Sequence, residues 1–309
     1  MTGVVDALAV TKRYGEVLGL NGFTASFGAG ITGLIGPNGA GKSTLFRLLA
    51  GQLRPDAGTL SVLGQPAWSE GSFRRRVGYC PEQPAMYDWM TGKEFVVYLL
   101  RVDGYSRAEA EKRATQAIDT VGLTDAKARR VRVYSKGMRQ RVKIAQGIAH
   151  DPELLLLDEP LNGVDPVGRA QLLALFTRLG RSGHHLIVSS HVLYEVERLT
   201  DQIVMISNGR ALAQGDLHRI RDLIDERPHT IEITAREPRS LAKLLSGWDH
   251  VVGIEFVGPD RLTVRSRLPE TFYRELPELV VREGAEISAL HSSDDNLDAV
   301  FRYLSEGGR

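Results

Sequence analysis

The run Gly36-Pro37-Asn38-Gly39-Ala40-Gly41-Lys42-Ser43-Thr44 constrains this chain more than any other stretch. It has the spacing G-x-x-x-x-G-K-[ST] and lies between a strand-like apolar run, residues 31–35, and a helical run, residues 42–50. Its glycines let the backbone turn back and present successive N–H groups to phosphate oxygens. The helix that follows adds the positive end of its dipole at the same place. Lys42 supplies a point charge for terminal phosphates. Ser43 supplies a hydroxyl suited to Mg2+, which keeps mostly water and phosphate oxygens around it. The turn therefore predicts a nucleotide-phosphate site at the end of a strand in an α/β layer.

A second half-site lies far along the chain. The run Leu154–Leu157 precedes Asp158, Glu159 and Pro160. Two carboxylates at the carboxyl end of a buried strand stand where open α/β sheets bind ligands. Asp158 could hold Mg2+ through water, and Glu159 could polarise an attacking water. Alone, the run also reads as a core strand emerging into solvent. His191 follows another strand-like run, residues 184–190, and could hydrogen-bond a terminal phosphate or the attacking water. His184 and His185 read as solvent-exposed. Ser135 is a natural N-cap for the basic helical run that follows, and Lys136-Gly137 would leave free N–H groups in its first turn. That makes a second anion-favouring helix start, or an ordinary capped basic helix.

Strand and helix text alternates through the first two thirds, which suggests a parallel sheet covered by helices. Residues 91–149 read as a helical insertion. From Asp216 onward the text changes. That tail holds 13 Lys/Arg and 18 Asp/Glu, a net of −5, against +6 before it. Its order of runs, β-α-β-β-α-β with one extra helix near Asp294 and Asp295, is the split ferredoxin-like pattern. A connector is expected between about residues 215 and 228. The single cysteine, Cys80, excludes a disulfide framework and a multi-cysteine zinc site. A net charge of +1 gives no global attraction to nucleic acid. No apolar run reaches the ~20 residues of a membrane span, and the N-terminus lacks a secretory signal. A cytoplasmic protein is expected.

Together these runs resemble the ATP-binding subunit of an ABC transporter over about residues 4–225. GPNGAGKST resembles its Walker A motif, and LLLLDEP its Walker B with the catalytic glutamate, Glu159. YSKGMRQRV resembles the signature, usually LSGGQ, with Lys136 in place of the first signature glycine. LNGVD resembles the D-loop and ends at Asp165. VSSHVLYEVERL carries the switch histidine at His191. Tyr14 stands where the family sets an aromatic ring against adenine, and it also suits surface packing. The family's Q-loop reads Y-x-P-Q. Here Tyr79-Cys80-Pro81 is followed by Glu82 and then Gln83, and either side chain could approach Mg2+ and the water. The tail resembles the C-terminal extension of the ABC-2-type export subfamily.

The resemblance implies a P-loop NTPase ABC cassette of α/β class, a mixed sheet with helices and a helical insertion, plus a small C-terminal α+β ferredoxin-like domain. The expected division is a cassette over 1–220, with its helical subdomain about 84–150, and an accessory domain over 228–309. It implies ATP as ligand, with Mg2+, and ATP hydrolysis. It further implies that Ser135, Gly137 and Asp165 of a second copy, or of a homologous cassette, complete the ATP site. The output would pass to integral membrane permease subunits that hold the motor on the cytoplasmic face of the membrane. Pro84, Ala85, Met86, Tyr87, Trp89 and Met90 could form the receiving surface, or pack the insertion's own core. The arginine clusters at 74–76 and 129–132 read as solvated faces, or as contacts for anionic lipid or acidic loops. A nucleic-acid-acting ABC ATPase is disfavoured by the single Walker A motif, and no nucleic acid partner is expected. A GTPase switch is disfavoured because no N-K-x-D motif is present.

Overall fold

The computed structural model describes residues 3–68, 73–83, 86–217, 220 and 228–292. The chain divides into two compact units, Met1–Asp216 and Leu217–Arg309. The expected closing helix near Asp294, and most of the 215–228 connector, lie outside the described residues.

The first unit is built on two sheets. The larger has six strands in the order β10-β9-β3-β8-β7-β6. They are β3 (Ile31–Ile35), β6 (Val77–Cys80), β7 (Leu154–Leu157), β8 (His185–Ser190), β9 (Gln202–Ser207) and β10 (Arg210–Asp216). All neighbours run parallel except β10, which pairs antiparallel with β9. β7 explains why a run of leucines suits this layer. Leu155 and Leu157 enter one core with Leu186 and Val188, while Leu154 and Leu156 enter another with Phe46 and Ile187. A strand's side chains alternate faces, so a strand covered on both sides must be apolar throughout.

The second sheet is antiparallel, in the order β2-β1-β4-β5, from β1 (Val5–Tyr14), β2 (Val17–Phe27), β4 (Ala57–Val62) and β5 (Gln65–Pro66). The parallel-sheet reading of this region misses it. β1 and β2 carry long, bulged runs whose pairing is settled by which face meets the core, where Val5, Ala7, Val10, Phe23 and Phe27 are buried. Helix α1 (Lys42–Leu49) packs Phe46 and Leu49 into that core. Truncating a buried phenylalanine such as Phe46 to alanine costs about 3–5 kcal/mol.

The expected helical insertion is present. After the short α2 (Phe73–Arg76) come α3 (Gly92–Val102), α4 (Arg107–Thr120) and α5 (Lys136–Ile148). Thr91 and Glu94 form a capping box that starts α3 where the sequence turns helical. Ser106 caps α4, and Ser135 caps α5 by accepting the Met138 N–H at 3.2 Å. Their shared core gathers Val96, Ala114, Ile118 and Val142. α6 (Pro166–Arg181) and the five-residue α7 (Leu193–Glu197) follow β7 and β8. The arginine cluster at 74–76 is not uniformly solvated, because Arg76 grips Glu153 with two bonds of 2.6 and 2.8 Å. His184 and His185 are half-buried rather than exposed. The His184 ring meets the Pro152 carbonyl at 2.7 Å, and His185 Nδ1 accepts the Gly30 N–H.

The second unit has the order β-α-β-β-α-β. Its strands β11 (His229–Ala235), β12 (Val251–Phe256), β13 (Arg261–Ser266) and β14 (Ile287–Ser292) form one antiparallel sheet, β12-β13-β11-β14. The helices Pro238–Leu245 and Pro269–Glu283 pack Leu241, Phe272 and Leu276 against Ile231, Ile233 and Val264.

Candidate nucleotide site

The turn after β3 and the start of α1 shape the floor of a cleft of about 380 Å³. Two glycines there have no substitute. Gly41 has φ +110°, and a side-chain carbon would fall 2.5 Å from the Gly19 carbonyl. At Gly36 it would fall 2.4 Å from the Ile206 carbonyl. The chain thus passes where only bare backbone fits, as a phosphate cradle requires. Pro37, Asn38, Gly39, Ala40, Gly41, Lys42, Ser43 and Thr44 all line the cleft.

Lys42 is almost fully buried. Its ammonium donates to the Gly36 and Pro37 carbonyls at 2.6 and 3.2 Å and lies 3.1 Å from Glu159 Oε1. Asp158 and Glu159 follow β7, which runs parallel to β8 and two strands from β3, so residues over a hundred positions apart meet here. Ser189, at the end of β8, joins them. Its hydroxyl donates to Asp158 Oδ1 and accepts the Glu159 N–H, both at 2.9 Å. Glu159 holds φ +48°, an uncommon backbone state for a non-glycine residue. Its Oε2 lies 3.0 Å from His191 Nδ1. Burial pushes the Asp158 carboxyl above its ordinary value, against the hydrogen bonds from Ser43 and Ser189.

The donors available to a cation are hard oxygens, Ser43 and Asp158. No cluster of three or more His, Cys, Asp or Glu side chains able to hold a metal exists among the described residues. This set fits Mg2+, which takes one or two protein oxygens and leaves the rest to phosphate and water.

Residues 20–162 match the family described as ABC transporter. The chain is 34% identical over 307 residues to the daunorubicin/doxorubicin resistance ATP-binding protein DrrA of Streptomyces peucetius, covering 98% of this chain and 93% of that one. The chain belongs to the ATP-binding subunits of ABC transporters. This cassette is also 32% identical to the bacitracin transport ATP-binding protein BcrA of Enterococcus faecalis, over the whole of this chain and 98% of that one. A solved ATP-binding subunit of an ABC transporter, 31% identical, covers 71% of this chain and 92% of its own at a TM-score of 0.63. A dimeric cassette in a post-hydrolysis state, at 22% identity and a TM-score of 0.63, shares the fold. As a member of the family, the cassette is an ATPase.

The remaining candidates divide between the cleft and other surfaces. Tyr14 lines the cleft beside Val17 and Gly19 and is 42% exposed. Glu82 lines the cleft as well. Gln83 lines a different cavity, of about 820 Å³, with Arg47, Tyr79 and Gln146. Glu82's carbonyl accepts Lys143 Nζ at 2.5 Å, which ties this loop to α5. Burial lowers the Lys143 pKa. Cys80, fully buried behind the loop, has its thiol pushed up to about 12 by burial.

Ser135, Gly137 and Asp165 do not line the cleft. They sit together elsewhere. A side-chain carbon at Gly137 would lie 3.9 Å from both Ser135 Oγ and Asp165 Oδ2. Asp165 caps α6 by accepting the Gly168 N–H, which holds its carboxyl below the ordinary value. Of the aromatic stretch, Met86 and Met90 pack against the helical core, whereas Trp89 is 65% exposed and meets the Tyr87 ring at 5.8 Å between centroids. The sequence reading missed Ser189, the hydroxyl that aligns both carboxylates. The paired serines just before His191 were its one available signal. It also missed Gly19, whose bare Cα leaves room for Tyr14 and Thr44.

Proposed function

We propose that this cassette is the motor of an exporter: two copies, or one copy and a homologous cassette, bury ATP between them and drive a separate membrane permease. The observation that carries this reading is the division of candidate residues on one chain. Lys42, Ser43, Asp158 and Glu159 line one cleft, with His191 behind them on Glu159 at 3.0 Å, while Ser135, Gly137 and Asp165 form a second cluster outside it. A lone cleft leaves one face of the triphosphate in water. A second copy turned by a two-fold axis would cover it with the capped N-terminus of α5.

In this reading the P-loop backbone and Lys42 hold the phosphates, and Tyr14 meets the adenine. Ser43 and Asp158 hold Mg2+, with Glu82 or Gln83 beside it. Glu82's place on the cleft wall favours Glu82. Bound Mg2+ would neutralise charge on the phosphate oxygens. Glu159 takes the proton of the attacking water, and His191 orients Glu159 and the terminal phosphate. Triphosphate favours the closed pair because it contacts both copies, and its cleavage removes that bridge.

The permease reading rests on two features. No described helix is long and apolar enough to cross a membrane. The exposed Tyr87, Trp89 and Tyr98 border the helical subdomain, and aromatic side chains of this kind anchor protein interfaces. DrrA and BcrA, named for drug resistance and bacitracin transport, support an export role. Sedimentation of the full chain with Mg2+ and ATP, against Mg2+ and ADP, tests the pairing. A single-chain species under both conditions rejects the pairing of two copies and leaves only a homologous cassette as the second half.

A further inference from the structure

His191 bonds the buried Glu159, yet its own side chain is 43% exposed. Little packing holds the ring, and the five-residue α7 that follows starts without a side-chain cap. The ring's direction must therefore be set by the backbone on either side of it.

Both neighbours of His191 are held by one hydroxyl. Ser190, the last residue of β8, is buried, and its Oγ accepts the Val192 N–H at 2.9 Å, closing a turn around His191. The same hydroxyl donates to Glu195 Oε2 at 2.9 Å. With its one proton committed there, its lone pairs are left for the Val192 N–H. The Ser190 carbonyl accepts the Gly36 N–H of the phosphate turn at 3.4 Å. The Glu195 side chain is nine-tenths buried, and its other oxygen lies 3.0 Å from Arg169 Nη1 of α6. Each oxygen of this carboxylate thus has a partner, which offsets the cost of burying the charge. An apolar side chain would fill the space without that cost. What the carboxylate adds is direction: it fixes the Ser190 hydroxyl, and the hydroxyl fixes the turn.

We infer that Glu195 is a positioning residue for the ATPase reaction, acting through Ser190 to aim the His191 ring at Glu159, with Arg169 as its anchor on α6. The inference rests on the role given to His191 above and adds the residues that hold it. The two serines at the end of β8 then have separate tasks. Ser189 aligns Asp158 and Glu159, and Ser190 aligns the histidine. Loss of Glu195 removes no group from the cleft but frees the ring to swing, so the chemical step should slow while ATP binding holds.

The test uses the full chain with Ser190→Ala, Glu195→Ala, Glu195→Gln, Arg169→Ala and Arg169→Lys. Glu195→Gln keeps the size of the side chain and an oxygen for the Ser190 hydroxyl. Ring-nitrogen NMR signals of isotope-labelled histidines, with those of His191 assigned by their loss in His191→Ala, report the bond to Glu159 in the nucleotide-free protein. They should move toward a free imidazole in Ser190→Ala and Glu195→Ala, move part of the way in Arg169→Ala, and return in Arg169→Lys. Single-turnover phosphate release should fall about ten- to a hundredfold in Ser190→Ala and Glu195→Ala, the usual effect of a misplaced catalytic group, with ATP affinity within about twofold of the parent. Glu195→Gln should recover most of the rate. In the His191→Ala background the same substitutions should slow release by no more than about twofold, because the group they aim is gone. Unmoved His191 signals in Ser190→Ala and the Glu195 variants, or an undiminished penalty in the His191→Ala background, overturn the inference and leave the role of His191 standing. Wild-type turnover in His191→Ala overturns that role, and the inference falls with it.

Discussion

Lys42 and Glu159 form an ion pair at 3.1 Å, both side chains more than nine-tenths buried, between the phosphate turn and the carboxyl end of β7. The cation that a phosphate would recruit is thus held by the carboxylate proposed to activate water. Binding and chemistry share one contact, and an arriving phosphate must compete with Glu159 for Lys42.

Replacing Glu159 with glutamine keeps the side chain's size and its bond to His191 but removes the negative charge. Turnover should fall by about 10²–10⁴-fold, the usual worth of a general base. ATP affinity should hold or rise, because Lys42 is released. Phosphate release under single-turnover conditions, alongside ATP titration, measures both. Wild-type turnover in this variant would reject Glu159 as the base.

Lys42→Ala should abolish ATP retention and also destabilise the nucleotide-free protein. It leaves the Glu159 carboxylate buried without its cation, a change that costs about 3–5 kcal/mol. Adding Glu159→Gln to Lys42→Ala should recover much of that stability without restoring ATP binding. Chemical denaturation of the single and double variants checks this, and an unchanged single variant would show that the pair contributes nothing to the fold.

The raised Asp158 pKa has two pH consequences with opposite signs. Burial raises its folded pKa above the unfolded value of 3.8, so the folded state binds a proton more readily. Its contribution to stability is therefore full below that unfolded value and is lost as pH rises through the folded pKa. Metal needs the carboxylate, so Mg2+-dependent ATP retention should fail on acidification at a pH above that of an ordinary aspartate. Ser189→Ala removes a hydrogen bond that favours the charged form, and should move that midpoint higher still. ATP retention titrated with and without Mg2+ measures the shift. A midpoint at or below 3.8 in the parent would contradict it.

Trp89→Ala removes an exposed ring and should change stability by about 0.5 kcal/mol or less. It should nevertheless reduce co-purification with the membrane subunits while ATP binding by the isolated cassette stays normal. Undiminished co-purification would remove Trp89 from the proposed docking surface.

The phosphate turn was legible because its chemistry lies in contiguous residues, each fixed by a local need for bare backbone, a cation or a hydroxyl. Leu154–Leu157 with Asp158 and Glu159 was legible for a related reason, since an unbroken apolar run ending in acids has few other uses in an α/β layer. The β-α-β-β-α-β order of the second unit could be read from turn residues and alternation alone. The antiparallel sheet of β1, β2, β4 and β5 could not, because its bulged strands take their register from the core they cover.

By itself, then, the sequence determined the phosphate turn, the helical insertion, the element order of the second unit and the identities of the reactive groups, because those follow from short-range backbone and side-chain chemistry. Only the tertiary structure decided that Glu82 rather than Gln83 faces the cleft, that Ser189 ties Asp158 to Glu159, and that Lys42 is held by Glu159. They depend on the parallel pairing of β3, β8, β7 and β6, which brings distant segments together. Spacing along the chain carries no distance across a sheet.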